Sequence, residues 1–491
     1  MRRREFLALA GAVPLAAAAA PAQTSQLAAK LAADPHRPQY HLLPRANWMN
    51  DPNGPIYWQG KYHMFYQYNP NGAFWGDMHW GHAVSEDMVR WKHLPTALAP
   101  TPGGPDKDGV YSGCAVIDGG AVTAVYTGVK PETQSIATSS GNLTEWKKFA
   151  GNPVIAGPPA GLDVTGFRDP VVWKDGDVWL MGVGSGFRGK GGAVLLYESK
   201  DLHRWKYVQP LITRRLESRA GATDPVENGE MWECPDFFPL DGKYLLVVST
   251  GGAVQYLLGS YQDRLFHPET TGGLGFGSYY AARSMTIPGA HTGERRIVWG
   301  WLTEGRTVEA QRAAGWSGVM SLPRELKLLG SQVQMRPAAE VETLRGKRLG
   351  GDAEGDCLEI QAEIDPGDAP RAGLSVRIAP DRSEQTLIYY DRELRRLCVD
   401  RSQSSTDRSA DRDMQSGPFL LGRGEPLRLH VFLDGSVIEI FANDRFCLNA
   451  RVYPAGPRST GVALYADGGT AQMVSFEAWE MRPISADRLT S

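Results

Sequence analysis

Apolar and polar residues alternate along this chain in short runs, and glycine-containing turn pairs cut the runs at regular intervals. Period-two alternation places successive side chains on opposite faces, so the runs predict strands. Between about residue 40 and 325 the pattern repeats loosely. Turn pairs flanked by aromatic and β-branched residues stand at Gln59-Gly60, Gly119-Gly120, Asp175-Gly176 and Asp241-Gly242, with a fifth, less clear one within Gly289 to Glu294. A second marker, Ser85 to Lys92, returns as Ser139 to Lys147 and as Ser199 to Lys206, each ending in Trp-Lys. The turns recur about every 50 to 65 residues, the length of a four-stranded propeller blade with long loops. Five units predict a five-bladed β-propeller over residues 38–330.

After Leu328 the texture changes. Pro337 to Arg345 reads as a short helical linker, placed at 331–346. Residues 347–486 alternate again, as in Leu427 to Leu433, which leads through Asp434-Gly435 into Val437 to Phe441. Aspartate-glycine between two such runs is a hairpin signal, and strands with polar turns throughout predict a β-sandwich. Ser402 to Asp413 is polar and charged and reads as a mobile surface loop. The fold class is therefore all-β, a five-bladed propeller followed by a C-terminal sandwich.

Composition narrows the function. A formal net charge of −3 gives no electrostatic case for nucleic acid or an anionic membrane surface. Residues 1–22 read as an export signal: Arg3-Arg4-Glu5-Phe6-Leu7 resembles a twin-arginine pattern, Phe6 to Ala20 is apolar, and Ala20-Pro21-Ala22 offers small residues for cleavage. A general secretory signal is the alternative. The apolar run is too short and alanine-rich to span a membrane well, so a periplasmic or secreted protein without membrane insertion is expected, monomeric or homodimeric. Five cysteines without a Cys-x-x-Cys argue against a disulfide framework, although one bridge among Cys357, Cys398 and Cys447 stays open. His79 and His82 point to opposite faces of a strand, and no calcium-type loop occurs. Neither metal nor cofactor is expected.

The candidate chemistry lies in three acids. Asp51 in Asn50-Asp51-Pro52-Asn53-Gly54, Asp169 in Phe167-Arg168-Asp169-Pro170 and Glu233 in Trp232-Glu233-Cys234-Pro235 stand nine, seven and nine residues before their repeat's turn glycine. Ser112-Gly113 takes the matching place in the second unit. Since the first strand of each blade lines a propeller's central channel, the three carboxyl groups are expected in one funnel. Asp-Pro and Asn-Gly are also ordinary turn formers, and only the coincidence of repeat position argues against that simpler reading. Glycoside hydrolysis needs two carboxyl groups in different protonation states. Glu233 among Trp232, Cys234, Phe237 and Phe238 fits a proton donor, because apolar surroundings and a nearby negative charge disfavour ionisation. Asp51 among Asn50, Asn53 and turn amides fits an ionised nucleophile. Asp169 beside Arg168 is expected to stay ionised.

Trp48 to Gly54, Phe65 to Pro70, Trp75-Gly76, His79-Trp80-Gly81-His82, Phe167 to Pro170, Trp232 to Pro235, Gly315 to Gly318, Leu322 to Leu326 and Arg451 to Pro454 closely resemble glycoside hydrolase family 32, which holds invertases, levanases and inulinases. The resemblance runs from about His41 to the end. It implies Asp51 as nucleophile, Glu233 as acid/base and Asp169 as transition-state stabiliser, with Asn50, Gln67, Trp75, Ser112 and Arg168 holding a terminal fructose. Trp48, Trp75 and Trp301 are candidate apolar walls. Two departures stand out: Cys114 replaces a small polar residue, and Gly275 stands where the family often has an acid. The resemblance implies a retaining exo-β-fructosidase acting on levan, inulin or sucrose. A fructosyltransferase with the same intermediate, an inverting hydrolase and a non-catalytic carbohydrate-binding propeller are the alternatives.

Overall fold

A computed structural model describes residues 21–287 and 294–489. The first twenty residues of the expected export signal, and all but Glu294 of the expected fifth turn, lie outside the described residues. Five four-stranded antiparallel blades follow one another. Their inner strands are Asn47–Trp58, Val110–Asp118, Val164–Asp175, Glu233–Leu240 and Tyr280–Ile287. Blade five is joined to blade one where Trp316–Ser317 returns to pair in parallel with Asn47 and Trp48.

Each repeated sequence marker is a repeated backbone device. Gln59-Gly60, Gly119-Gly120 and Asp241-Gly242 are two-residue hairpin loops with left-handed φ at both positions, the requirement of a type I′ turn. In blade three the loop is Gly176-Asp177, one residue later than expected, since Asp175 still pairs with Val178. The Ser-x-Asp marker turns the third strand into the fourth. Asp87 Oδ1 accepts the amides of Val89 and Arg90, and Asp201 Oδ1 those of His203 and Arg204. The tryptophan closing each marker then packs: Trp91 and Trp299 meet edge to face at 6.4 Å.

The linker prediction needs correction. Gln332–Pro337 is the fourth strand of blade five, paired with Arg324–Leu329, because its alternating Val333 and Met335 are buried. Only the 3-10 helix Ala339–Leu344 separates the domains, and Arg345–Leu349 already pairs with the sandwich strand Gln472–Met481. One sandwich sheet is continuous with blade four, whose outer strand Leu265–Gly277 pairs in parallel with Phe446–Arg451. The Asp434 hairpin loop is Gly435-Ser436, again one residue later. Asp434 is withdrawn into the interior, where its carboxylate accepts the amides of Gln39, Tyr40 and His41. The segment 402–413 is anchored, contrary to the expected mobile loop: Thr307 N donates to Ser409 O, Asp411 N to Gly305 O, and Thr406 N to Glu384. All five cysteines are free. Residues 23–37 fall largely in the helix Pro21–Ala33, whose Leu31 joins the core beside Tyr40 and Trp316.

Candidate active site

The inner strands bring Asp51, Asp169 and Glu233 to one cavity of about 200 Å³. Asn50, Gln67, Trp75, Ser112, Arg168 and Trp301 line it too, as do Met78, Tyr111 and Tyr280, which the sequence did not single out. Trp48 does not line it. Its indole N–H donates to Asn50 Oδ1 at 2.7 Å and its ring packs against Trp301, so it holds a wall instead of being one. Asn53 also departs from expectation, facing Gln67 and Trp80 inside blade one. Gln67 is buried and donates to Val110 O at 3.1 Å.

Asn50 Nδ2 reaches Asp51 Oδ1 at 3.0 Å and Ser112 Oγ reaches its Oδ2 at 2.6 Å. Asp169 sits deeper, 4% exposed, with a left-handed φ of +63°. Its amide donates to Thr127 Oγ1, and its Oδ2 accepts the Cys234 amide at 2.9 Å. The Cys234 thiol lies between the two aspartates, 3.5 Å from Asp51 Oδ2 and 3.6 Å from Asp169 Oδ2. Burial, reinforced by those carboxylates, pushes this thiol well above its ordinary range, so it is a protonated donor.

Glu233 is held differently from the apolar setting expected of it. Arg168 grips Oε1 through Nε at 3.1 Å and Nη2 at 2.7 Å, while the Tyr280 hydroxyl donates to Oε2 at 2.8 Å. Trp232 and Phe237 turn into the blade core instead. Alternation turns Trp232 away from Glu233, and the bulge between Glu233 and Asp236 brings Phe237 to the core face as well. Arg168 Nη1 also reaches Glu132 Oε1 at 2.9 Å.

Burial works against the charge expected on Asp169. Burial pushes its pKa up to about 6; Arg168 opposes this, while the charges of Glu233 and Asp51 add to it. Arg168 is shared with two glutamates and cannot offset burial alone. Asp169 is nevertheless the wrong group to hand a proton to a substrate, because its Oδ2 is taken by Cys234 at the floor. Glu233 stands on the side wall with its carboxyl partly open, 23% exposed. Geometry precedes pKa in choosing a general acid. The floor and wall together present two aspartates and a more accessible glutamate to one small cavity.

Trp75 is 58% exposed at the rim, edge to face with Tyr111 at 6.1 Å. An exposed indole there contributes binding common to ground and transition states. Trp75→Ala is expected to raise KM about 10-fold and leave kcat within about 3-fold, checked by steady-state kinetics; a kcat loss exceeding the KM change would contradict this role.

Some functional residues were poorly legible. Tyr280 lies in Gly275 to Ala281, a stretch read only for its missing acid. Glu132 carries no sequence signal, since only the fold brings it from blade two to Arg168. His82 is buried against His63, ring nitrogens 2.9 Å apart. Among the described residues no cluster of three or more His, Cys, Asp or Glu is arranged to hold a metal, and no helix is long and apolar enough to cross a membrane.

The family model "Glycosyl hydrolases family 32 N-terminal domain" matches residues 41–337, and "Glycosyl hydrolases family 32 C terminal" matches 326–480. The chain is 35% identical to a levanase of Bacillus subtilis, over 91% of this chain and 71% of that one. It is 34% identical to a sucrose-6-phosphate hydrolase of Zymomonas mobilis, over 91% and 92%. Among solved structures, fructan 1-exohydrolase IIa from Cichorium intybus superposes with a TM-score of 0.80 at 29% identity, covering 91% of this chain and 98% of that chain.

Proposed function

The chain belongs to glycosyl hydrolase family 32, as a β-fructosidase acting on sucrose or fructans, and on that premise we propose that it removes terminal fructosyl units one at a time with retention of configuration. The observation that carries this reading is the convergence of Asp51, Asp169 and Glu233 on a single small cavity. At about 200 Å³ that cavity is below the ~300–1,000 Å³ of drug-sized ligand sites. It suits one sugar ring, which favours attack at a chain end.

Asp51 attacks the anomeric C2, the bond from C2 to the leaving oxygen breaks, and Glu233 gives its proton to that oxygen. Water then attacks C2 of the fructosyl-enzyme, Glu233 takes the water's proton, and Asp51 leaves as carboxylate. Both steps pass through a state with positive charge at C2 and the ring oxygen, which an ionised Asp169 on the floor stabilises. Arg168 and Tyr280 hold Glu233 on the leaving-group side.

Purified protein offered sucrose, inulin and levan in parallel tests the proposal. Release of free fructose as the first product, seen as the β-anomer by rapid NMR, is expected. Initial α-fructose would point to inversion, early oligosaccharides to endo cleavage, longer oligosaccharides at high sucrose to transfer, and binding without turnover to a non-catalytic propeller. The Arg3 to Leu7 pattern further supports twin-arginine export; loss of exported activity in a double substitution of Arg3 and Arg4 by Lys is expected, and unchanged export would refute it.

A further inference from the structure

We infer that Arg283, which the cavity does not expose, is a positioning residue that fixes the floor of the site and keeps Asp169 in its working state. This rests on the hydrolytic reading above. Arg283 comes from the inner strand of blade five and is 2% exposed. Its Nη2 donates to Asp169 O at 3.1 Å and its Nη1 to Pro235 O. One guanidinium therefore ties the inner strands of blades three and four to that of blade five, directly below the catalytic carboxyl groups.

The two carbonyls are significant. Asp169 has a φ of +63° and Cys234, the residue before Pro235, a φ of +46°. Left-handed conformations in non-glycine residues persist only where the surroundings enforce them. These two aim the Asp169 carboxyl and the Cys234 amide and thiol at one another. Arg283 bonds to the backbone next to both.

Its charge has few other partners. Among the described residues Arg283 forms no salt bridge, and its Nε has no hydrogen-bond partner. A buried cation without an ion pair is costly, so its position must be balanced by the anions around it. Cys234 and Cys114 are buried thiols that stay protonated, which leaves Asp169 and Asp236 as the neighbouring carboxylates. Asp236, which acts on Arg283 more strongly than Asp169 does, also accepts from Ser284, through the amide at 2.7 Å and the hydroxyl at 2.6 Å. Asp169 in turn is faced by Asp51 from blade one, Tyr111 and Glu132 from blade two and Arg168 from its own strand. Glu233, Cys234 and Asp236 of blade four and Tyr280 and Arg283 of blade five complete its surroundings. Of these, Arg168 and Arg283 are the cations, and Arg168 is divided between Glu132 and Glu233.

Three variants separate charge from shape. Arg283→Lys keeps the charge, Arg283→Gln keeps an amide donor without it, and Arg283→Met keeps neither. Removing the cation disfavours ionised Asp169, whose activity is present above its pKa and lost as pH falls through it. In R283Q the acid limb of kcat/KM is expected to move up by about 0.5–1 pH unit. Its kcat is expected to fall about 10–100-fold, with KM within about 3-fold. R283K is expected to keep the wild-type limb and kcat within about 5-fold. R283M should resemble R283Q or fail to fold, in which case the contrast between Lys and Gln decides. Superimposable limbs in R283K and R283Q, or wild-type kcat in R283Q, would overturn the inference. Wild-type protein that releases no fructose from any of the three saccharides would instead sink the hydrolytic reading itself.

Discussion

Asp51→Asn is expected to lower fructose release by at least about 10⁴-fold, a rise of ~5.4 kcal/mol in the barrier, while the protein stays folded. The amide keeps an oxygen for the Ser112 hydroxyl and fits the same space, so the three-blade meeting point survives. What it lacks is the ability to form the bond to C2. Asp51 also contributes to the elevated pKa of Asp169, by repulsion in a buried setting. Removing its charge therefore relaxes Asp169 towards the ordinary carboxyl range. The variant is expected to be more stable than wild type by about 0.5–2 kcal/mol, the usual trade between a strained site and stability. Kinetics on sucrose and an unfolding series at pH 7 check both halves. Residual activity within about 100-fold of wild type would remove Asp51 from the nucleophile role.

The largest stability effect is expected far from the chemistry, where propeller and sandwich meet. Glu439 of the sandwich is fully buried. Its Oε1 accepts from His41 Nε2 at 3.0 Å and Leu322 N at 2.7 Å, and its Oε2 from Arg324 Nη2 at 2.5 Å. His41 Nδ1 meets Asp434 at 2.7 Å, and the Arg324 guanidinium stacks 4.0 Å from the Tyr279 ring centroid. Glu439→Ala strands a buried guanidinium and a buried imidazolium without their shared anion. Such loss costs about 3–5 kcal/mol, and an early, separate melting transition in calorimetry is the expected sign; a single unshifted transition would contradict it.

The same cluster sets a pH dependence. Burial alone would lower the His41 pKa, but hydrogen bonds and charge from Asp434 and Glu439 outweigh it and raise it to about 9. Its stabilising share is complete below its unfolded value of about 6.5 and is lost as pH rises towards 9. Glu439 is held below the usual carboxylate range: burial opposes this, but Arg324 and His41 prevail. Its share is present above the unfolded value and lost in acid. Stability from the junction is therefore greatest between those limits, and His41→Gln should flatten the alkaline side.

Much of this was legible without coordinates. The repeat of turn pairs and Trp-Lys markers determined five blades, because each marker is a local backbone device whose hydrogen bonds need only nearby residues. Repeat position likewise predicted that Asp51, Asp169 and Glu233 would share one funnel, since equivalent points of a closed ring face its axis. Register was less secure. Two hairpin loops sit one residue later than expected, since a turn signal such as Asp434-Gly435 does not say whether its aspartate belongs to the loop or is needed inside. The strand at 332–337 reads as linker in the sequence because it pairs with a neighbour across a tight turn that the repeat pattern does not mark.

Protonation and support were decided by the tertiary structure. Trp232 and Phe237, near Glu233 in sequence, face the blade core, and the groups that touch its carboxyl, Arg168 and Tyr280, come from other strands. Asp169 has Arg168 beside it in sequence, yet burial outweighs that cation, and two other carboxyl groups add to the effect. Arg283 and Glu132 gave no signal, being ordinary residues until the ring closes. Electrostatics in a buried site depends on distances through space and on exclusion of water, and the order of residues along the chain encodes neither until blades three, four and five stand side by side.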